Sequence, residues 1–305
     1  MPLEIPNINE VQKLFTKYSD FQFVDKGGFK IVYSAITDGI KEAVKLVYVP
    51  APNDIDAPDH MKDDFIEESK NRILRELHLL ENSSSPYIVK LGKLKPIDIK
   101  INKTEFIVYS EEFIEGKSVY KLIKEGYKPS EDELRSLLIC LLRAIENLWV
   151  SFKAIHRDIK PMNVIKTNIT PRPFVLLDLG IAFLINETPL TVAAGNRFPP
   201  PGTTKYLSPE MLDPNFRNTI DFRSDLYTAG ILVYEYATGI HPLAKSGDDL
   251  LMTLSRIMRE KPKPVEEYRN DLSNELCEVI NNLIKKLVAL RPASISKIIE
   301  KIEGK

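Results

Sequence analysis

Cysteine is scarce: Cys140 and Cys277 are the only two in 305 residues. Two cysteines make no disulfide framework for so long a chain, and no Cys/His spacing reads as a zinc site. A reducing, cytoplasmic compartment is the simpler expectation. Charge of one sign is also missing. Lys and Arg number 42 against 43 Asp and Glu, a formal net charge of −1. Without a global basic field, no nucleic-acid partner is expected. No apolar run reaches about 18 residues, which argues against a membrane-spanning helix. The N-terminus, MPLEIPNINE, lacks the basic-then-apolar pattern of a signal peptide. Internal repeats and low-complexity tracts are absent as well. What is present is a globular balance, 43% hydrophobic and 28% charged, in a length that allows one large domain or two ordinary ones.

The local signals run as strands, one helix, more strands, then helices. FQFV at 21–24 and IVYSAI at 31–36 are rich in β-branched and aromatic residues, and Gly27-Gly28 between them signals a hairpin. EAVKLVYV at 42–49 continues as a third strand, and IVKLGKL at 88–94 and FIVYSEEF at 106–113 read as two more. Residues 50–64, with three prolines and five aspartates, read as an exposed loop. Ile66, Ile73, Leu77 and Leu80 have helical spacing and predict a helix over 65–81. Leu134, Leu137, Leu138, Leu141, Ile145, Leu148 and Trp149 form a stripe wide enough for a core helix over 131–152. Further helices are expected at 224–238, 273–290 and 295–302, with a proline-rich irregular stretch at about 186–218. The expectation is an α+β chain. Residues 1–20 are a lead-in, 21–113 a small β-rich part with one long helix, and 114–305 a larger, mainly helical part.

The most specific segment is His156-Arg157-Asp158-Ile159-Lys160-Pro161-Met162-Asn163. Twenty residues after its aspartate comes Asp178-Leu179-Gly180, preceded by the apolar run Phe174-Val175-Leu176-Leu177. Here the sequence resembles the eukaryotic-like (Hanks-type) Ser/Thr protein kinases, with their H-R-D-x-K-P-x-N catalytic loop and D-F-G metal loop. The resemblance implies a bilobal protein-kinase-like fold, with a β-rich N-lobe and a helical C-lobe forming one catalytic domain. It implies ATP and Mg²⁺ as cofactors and a protein with Ser or Thr hydroxyls as substrate, autophosphorylation included. Phosphoryl transfer spreads charge over oxygens, so positioning and electrostatics do most of the catalysis. Asp158 would orient or accept the proton of the attacking hydroxyl. Asn163 and Asp178 would hold Mg²⁺ through hard oxygen atoms. Lys160 would stabilise charge on the transferring phosphate.

The resemblance extends along most of the chain. Lys45, in Ala43-Val44-Lys45, falls where the family has V-A-I-K and would pair with the α- and β-phosphates. Of Glu68, Glu76 and Glu81, counting back from Pro86-Tyr87-Ile88-Val89 selects Glu76 as the lysine's ion-pair partner. The glycine turn departs from G-x-G-x-x-G: Asp25 and Lys30 stand at the first and third glycine positions, leaving Gly27 and Gly28 to let backbone approach phosphate. Val24, Val32, Ala43 and Ile165 would contact the nucleotide, and the backbone of Glu112-Phe113-Ile114 would hydrogen-bond adenine. This alignment puts Glu111 at the back wall, where an apolar residue is usual. Either the register slips by one or the pocket is polar.

Downstream, Gly202-Thr203-Thr204-Lys205-Tyr206-Leu207-Ser208-Pro209-Glu210 resembles the family's G-T-x-x-Y-x-A-P-E. Thr203 would bridge Asp158 and Lys160, Glu210 would pair with Arg291, and Asp225 would tie down the catalytic loop. Arg157 would gather an activating phosphate, with Thr188 and Thr191 as the nearest hydroxyls; a proline-stiffened segment that needs no phosphate is the alternative. A regulatory partner or homodimer is compatible with all of this. Two other functions compete with a Ser/Thr kinase. One is a nucleotide-binding pseudokinase scaffold, suggested by the altered turn and Glu111. The other is a small-molecule kinase of related fold, which Arg157, Lys160 and Ser208-Pro209-Glu210 disfavour.

Overall fold

The computed structural model describes residues 4–52, 55, 59–179, 183–184, 204–213, 216 and 220–304. The described chain divides into two compact units. Among the described residues, the first comprises those up to 82 and 89–114, and the second 83–88 and those from 115 onward.

The first unit is a five-stranded antiparallel sheet with two helices. Its elements are α1 (Ile8–Leu14), β1 (Ser19–Lys26), β2 (Lys30–Thr37), β3 (Ile40–Val49), α2 (Asp59–Asn82), β4 (Ile97–Ile101) and β5 (Thr104–Glu112), in the sheet order β1-β2-β3-β5-β4. Period-two alternation sets the two faces. Ile31, Tyr33, Ala35, Val44, Leu46, Phe106 and Val108 pack into one core with Val11, Phe15, Tyr18 and Phe21. The lead-in expected over 1–20 therefore supplies core side chains. Tyr18 also donates a 2.7 Å hydrogen bond to buried Glu42, which accepts from Ser110 Oγ at 2.6 Å as well.

Two expectations in this unit need correction. Helix α2 starts six residues before 65, inside the acidic stretch taken for loop. Residues 88–94 form no strand, only single bridges at Ile88 and Leu91. Their polar groups alternate between backbone and side-chain partners: Gly92 N–H donates to the Ser110 carbonyl, but Leu94 N–H donates to Ser110 Oγ and Lys93 N–H to the Glu42 carboxylate. The edge position is taken instead by β4.

The second unit is mainly helical. Short strands β6 (Lys117–Ser118), β7 (Ala154–Ile155), β8 (Val164–Lys166), β9 (Phe174–Leu176) and β10 (Phe183–Leu184) accompany the helices α3 (Val119–Lys124), α4 (Glu131–Phe152), α5 (Arg223–Thr238), α6 (Leu250–Arg259), α7 (Asn274–Leu283) and α8 (Ile295–Glu303). Ser130 caps α4, and Glu131, Asp132 and Glu133 line its first turn, where the helix dipole favours acids. Helix α5 is buried on all sides from Ser224 to Ala237, as its apolar sequence requires. Gly230 permits close contact with the end of α7, since a Cβ there would sit 2.7 Å from Leu283 Cβ.

The helix expected over 273–290 stops at Leu283. The next carbonyls are diverted outward: Lys285 and Lys286 oxygens accept from the Arg291 guanidinium at 2.7 and 3.0 Å. Cys140 and Cys277 are buried free thiols, and burial pushes the Cys140 thiol up to about 12. Among the described residues, no helix is long and apolar enough to cross a membrane.

Candidate active site

In the first unit, the polar centre is built on the two central strands. Lys45 on β3 lies opposite Tyr109 on β5, and Ala43 lies opposite Glu111. Glu111 is thus a buried acid on the strand next to that of Lys45. It is also the diagonal neighbour of Lys45 on the same sheet face. The Lys45 ammonium donates a hydrogen bond to Glu111 Oε1 and stands 3.6 Å from Glu76 Oε1 on α2. The three side chains are at most 7% exposed. Of the glutamates offered by α2, Glu76 is the one beside Lys45, whereas Glu68 is engaged by Arg72. Burial pushes the Glu111 carboxyl above the usual range; Lys45 pulls it down and the Glu76 charge pushes it further up.

The β1–β2 turn closes with the Gly27 N–H donating to the Lys30 carbonyl at 2.8 Å. A Cβ at Gly28 would have no heavy atom within 4 Å, so packing inside the chain does not account for that glycine. Val24 is exposed, and Val32 and Ala43 are half-buried. Glu112 ends β5 and exchanges bonds with Lys90: its N–H donates to the Lys90 carbonyl, and its carboxylate accepts from Lys90 N–H, each at 2.9 Å. Half-buried Ile114 follows outside the strand. Ile165 belongs to the second unit, half-buried on β8.

The second unit presents the loop between β7 and β8. Asp225, near the start of α5, is 1% exposed and accepts the N–H groups of His156 at 2.7 Å and Arg157 at 3.0 Å. Burial raises its carboxyl, against the pull of His156 and these two donors. Arg157 has a left-handed φ of +69° and its guanidinium lies 5.6 Å from the Phe216 ring centre. A non-glycine residue held there costs about 1–3 kcal/mol, a strain typical of functional loops.

Beyond it, Asp158 Oδ2 accepts from the Lys160 ammonium at 2.6 Å and from Asn163 Nδ2 at 3.0 Å. Asn163 Nδ2 also donates to the Asp158 carbonyl at 3.0 Å, which leaves its Oδ1 as the oxygen available to a metal. The Asn163 carbonyl accepts from Leu177 N–H at 2.7 Å, so the loop is tied to the residue before Asp178, itself left-handed at φ +66°. Among the described residues, no three His, Cys, Asp or Glu side chains are grouped as a metal cage. An amide oxygen and a carboxylate fit Mg²⁺, which keeps several waters and takes phosphate oxygens when a nucleotide is bound.

Glu210 and Arg291 meet in a two-pronged ion pair, Oε1 at 2.7 Å and Oε2 at 2.8 Å. Ser224 Oγ also donates to Glu210, and the guanidinium lies 4.7 Å from the Tyr227 ring centre. Burial alone would raise the Glu210 carboxyl, but the Arg291 bonds and charge hold it below its usual value. Thr203, Thr188 and Thr191 lie outside the described residues. Sequence reasoning did not assign a role to Glu111. The available signal was an acid on the strand face shared by Ile107 and Tyr109, two residues of register from the lysine.

The sequence profile of the protein kinase domain family matches residues 18–301. A probable serine/threonine-protein kinase of Clostridium perfringens is 30% identical over 95% of this chain and 38% of its own length. One of Corynebacterium efficiens is 27% identical over 88% of this chain and 38% of its own. Serine/threonine-protein kinase A of Synechocystis is 26% identical over 98% of this chain and 55% of its own. The chain thus spans about two-fifths to a little over half of the length of these relatives. With a match over nearly its whole length, and with the α+β fold expected of that family, the chain belongs to the protein kinase domain family.

Proposed function

We propose that the chain is an ATP- and Mg²⁺-dependent protein kinase that transfers the γ-phosphoryl group of ATP to serine or threonine hydroxyls of proteins, its own included. The observation that carries this reading is the state of Asp158. One carboxylate oxygen is held by both Lys160 and Asn163, on a loop whose backbone is fixed by buried Asp225. These bonds orient the Asp158 carboxylate for a positioned-base role, accepting the proton of an attacking hydroxyl. Lys160 neutralises charge on the transferring group. Asn163 Oδ1 and the Asp178 carboxylate hold Mg²⁺, which, when bound, draws charge off the phosphate oxygens. Lys45 holds the α- and β-phosphates, and the Gly27-Gly28 backbone covers them. Val24, Val32, Ala43, Glu112, Ile114 and Ile165 take the adenosine. Thr203 is assigned to Asp158 and Lys160 as a mark of the Ser/Thr class.

In this reading the first unit is the N-lobe, the second is the C-lobe, and together they are one catalytic domain. The names of the relatives and the lysine two places after the loop aspartate support Ser/Thr specificity. A cytoplasmic location is part of the proposal, supported by two buried free thiols. The presence of Lys45, Glu76, Asp158, Asn163 and Asp178 speaks against a pseudokinase.

The test is incubation with labelled ATP, Mg²⁺ and a generic basic protein, with Asp158→Asn as control and a mixture of sugars and amines in parallel. Label on Ser or Thr of protein, lost in Asp158→Asn, is expected. Label on the small molecules alone would replace this reading with a small-molecule kinase, and nucleotide binding without transfer would replace it with a pseudokinase.

A further inference from the structure

We propose that Glu111 is a positioning residue, a second carboxylate anchor of Lys45 that works beside Glu76, so that the ammonium keeps its place when one acid is lost. The register puts Glu111 diagonally across from Lys45 on the adjacent strand, on the same face of the sheet. A hydrogen bond from the ammonium runs to Glu111, while Glu76 lies 3.6 Å away, and Glu76 Oε1 makes no hydrogen bond among the described residues. An ammonium carries three N–H donors and can serve both acids.

The two anchors differ in what holds them. Glu76 depends on where α2 lies, whereas Glu111 is carried by β5, which is paired with the lysine's own strand along its length. Strand pairing fixes the Glu111 anchor whatever the helix does. An apolar residue at 111 would leave Lys45 with Glu76 as its glutamate partner, as the wider family pattern implies.

The charge balance is compatible with this. Two carboxyls and one ammonium are buried together, with the charge of Lys30 also acting on Glu111. Burial and Glu76 push the Glu111 carboxyl up. A protonated Glu111 still accepts from Lys45 through its carbonyl oxygen, and neutralising Glu76 removes one of the two influences that push its carboxyl up.

The test compares wild type, Glu76→Gln, Glu111→Met, Glu111→Gln and the double variant Glu76→Gln/Glu111→Met. The activity measurement rests on the kinase reading above; a second measurement does not. In phosphotransfer, each single change raises KM for ATP more than it lowers kcat. The double variant loses kcat/KM beyond the product of the single losses by about tenfold or more. Glu111→Gln, which keeps an acceptor, restores most of what Glu111→Met loses.

In parallel, the folded proteins are acylated with acetic anhydride and modification of Lys45 is read by peptide mass spectrometry. Lys45 stays protected in Glu76→Gln and becomes reactive in the double variant. Losses that simply multiply, with Lys45 unprotected in Glu76→Gln, overturn the proposal. Should Glu111→Met not fold, Lys45 protection in Glu76→Gln against wild type still decides. Protection in a wild type that transfers no phosphate upholds the anchor and sinks the kinase reading; phosphotransfer with Lys45 unprotected in Glu76→Gln does the reverse.

Discussion

The two units hold their buried charges in different ways. In the first, one ammonium, Lys45, stands between two carboxyls, and a buried Glu76 oxygen has no hydrogen bond among the described residues. In the second, each acid has its own donors. Asp225 takes two backbone N–H groups, Asp158 takes an ammonium and an amide, and Glu210 takes a guanidinium fork and a hydroxyl. A carboxylate held by several donors fixes its loop before any ligand arrives. In the first unit, burial pushes the Glu111 carboxyl up and a Glu76 oxygen has an incomplete hydrogen-bond set among the described residues. The difference fits a division between a preformed half and a tunable half.

Removing the oriented acid of the second unit should have the largest effect. Asp158→Asn is expected to lower phosphotransfer by about 10²–10⁴-fold with the fold intact, measured with labelled ATP and circular dichroism. Next comes the fork: Arg291→Ala leaves the Glu210 carboxylate buried without its cation and should cost about 3–5 kcal/mol in urea unfolding. Glu111→Gln, in contrast, keeps an acceptor for Lys45 and should cost about 1 kcal/mol or less. Equal losses would erase the contrast between the units.

The pH dependence should separate them by sign. The folded Glu111 carboxyl sits above its unfolded value, so the native state binds the extra proton. Its contribution declines as pH rises from about 4.5 through the folded value. The melting temperature of Glu111→Gln should therefore gain on wild type as pH increases. The folded Glu210 carboxyl sits below its unfolded value, so its stabilisation is present above about 4.5 and is lost as pH falls through the folded value. The deficit of Glu210→Gln should shrink on acidification. The smallest effect concerns Cys140 and Cys277, both buried in the second unit. Thiol reagents should label them at the rate that unit opens, more slowly than amine reagents reach lysines on the first.

Legibility followed the range of the interaction involved. Helix α4 could be read because its apolar stripe is local. The 156–163 loop could be read because its chemistry lies within eight consecutive residues. Residues 88–94 were misread as a strand because their donors go to Glu42 and Ser110, partners that no local pattern announces. The early end of α7 depends on Arg291 claiming the Lys285 and Lys286 carbonyls, a contact made after the chain turns back. Glu111 stood out in sequence as an acid on an apolar face, but its partner became visible only with the β3–β5 register.

The packing of Val11 and Phe15 against Ile31, Tyr33 and Val44 has a practical consequence. The family profile begins at residue 18, and a clone trimmed to that point would strip a lid from the sheet. It would bare an oily plaque of aromatic and branched side chains to water, and poor expression or clumping would follow from the cut rather than from the catalytic sequence.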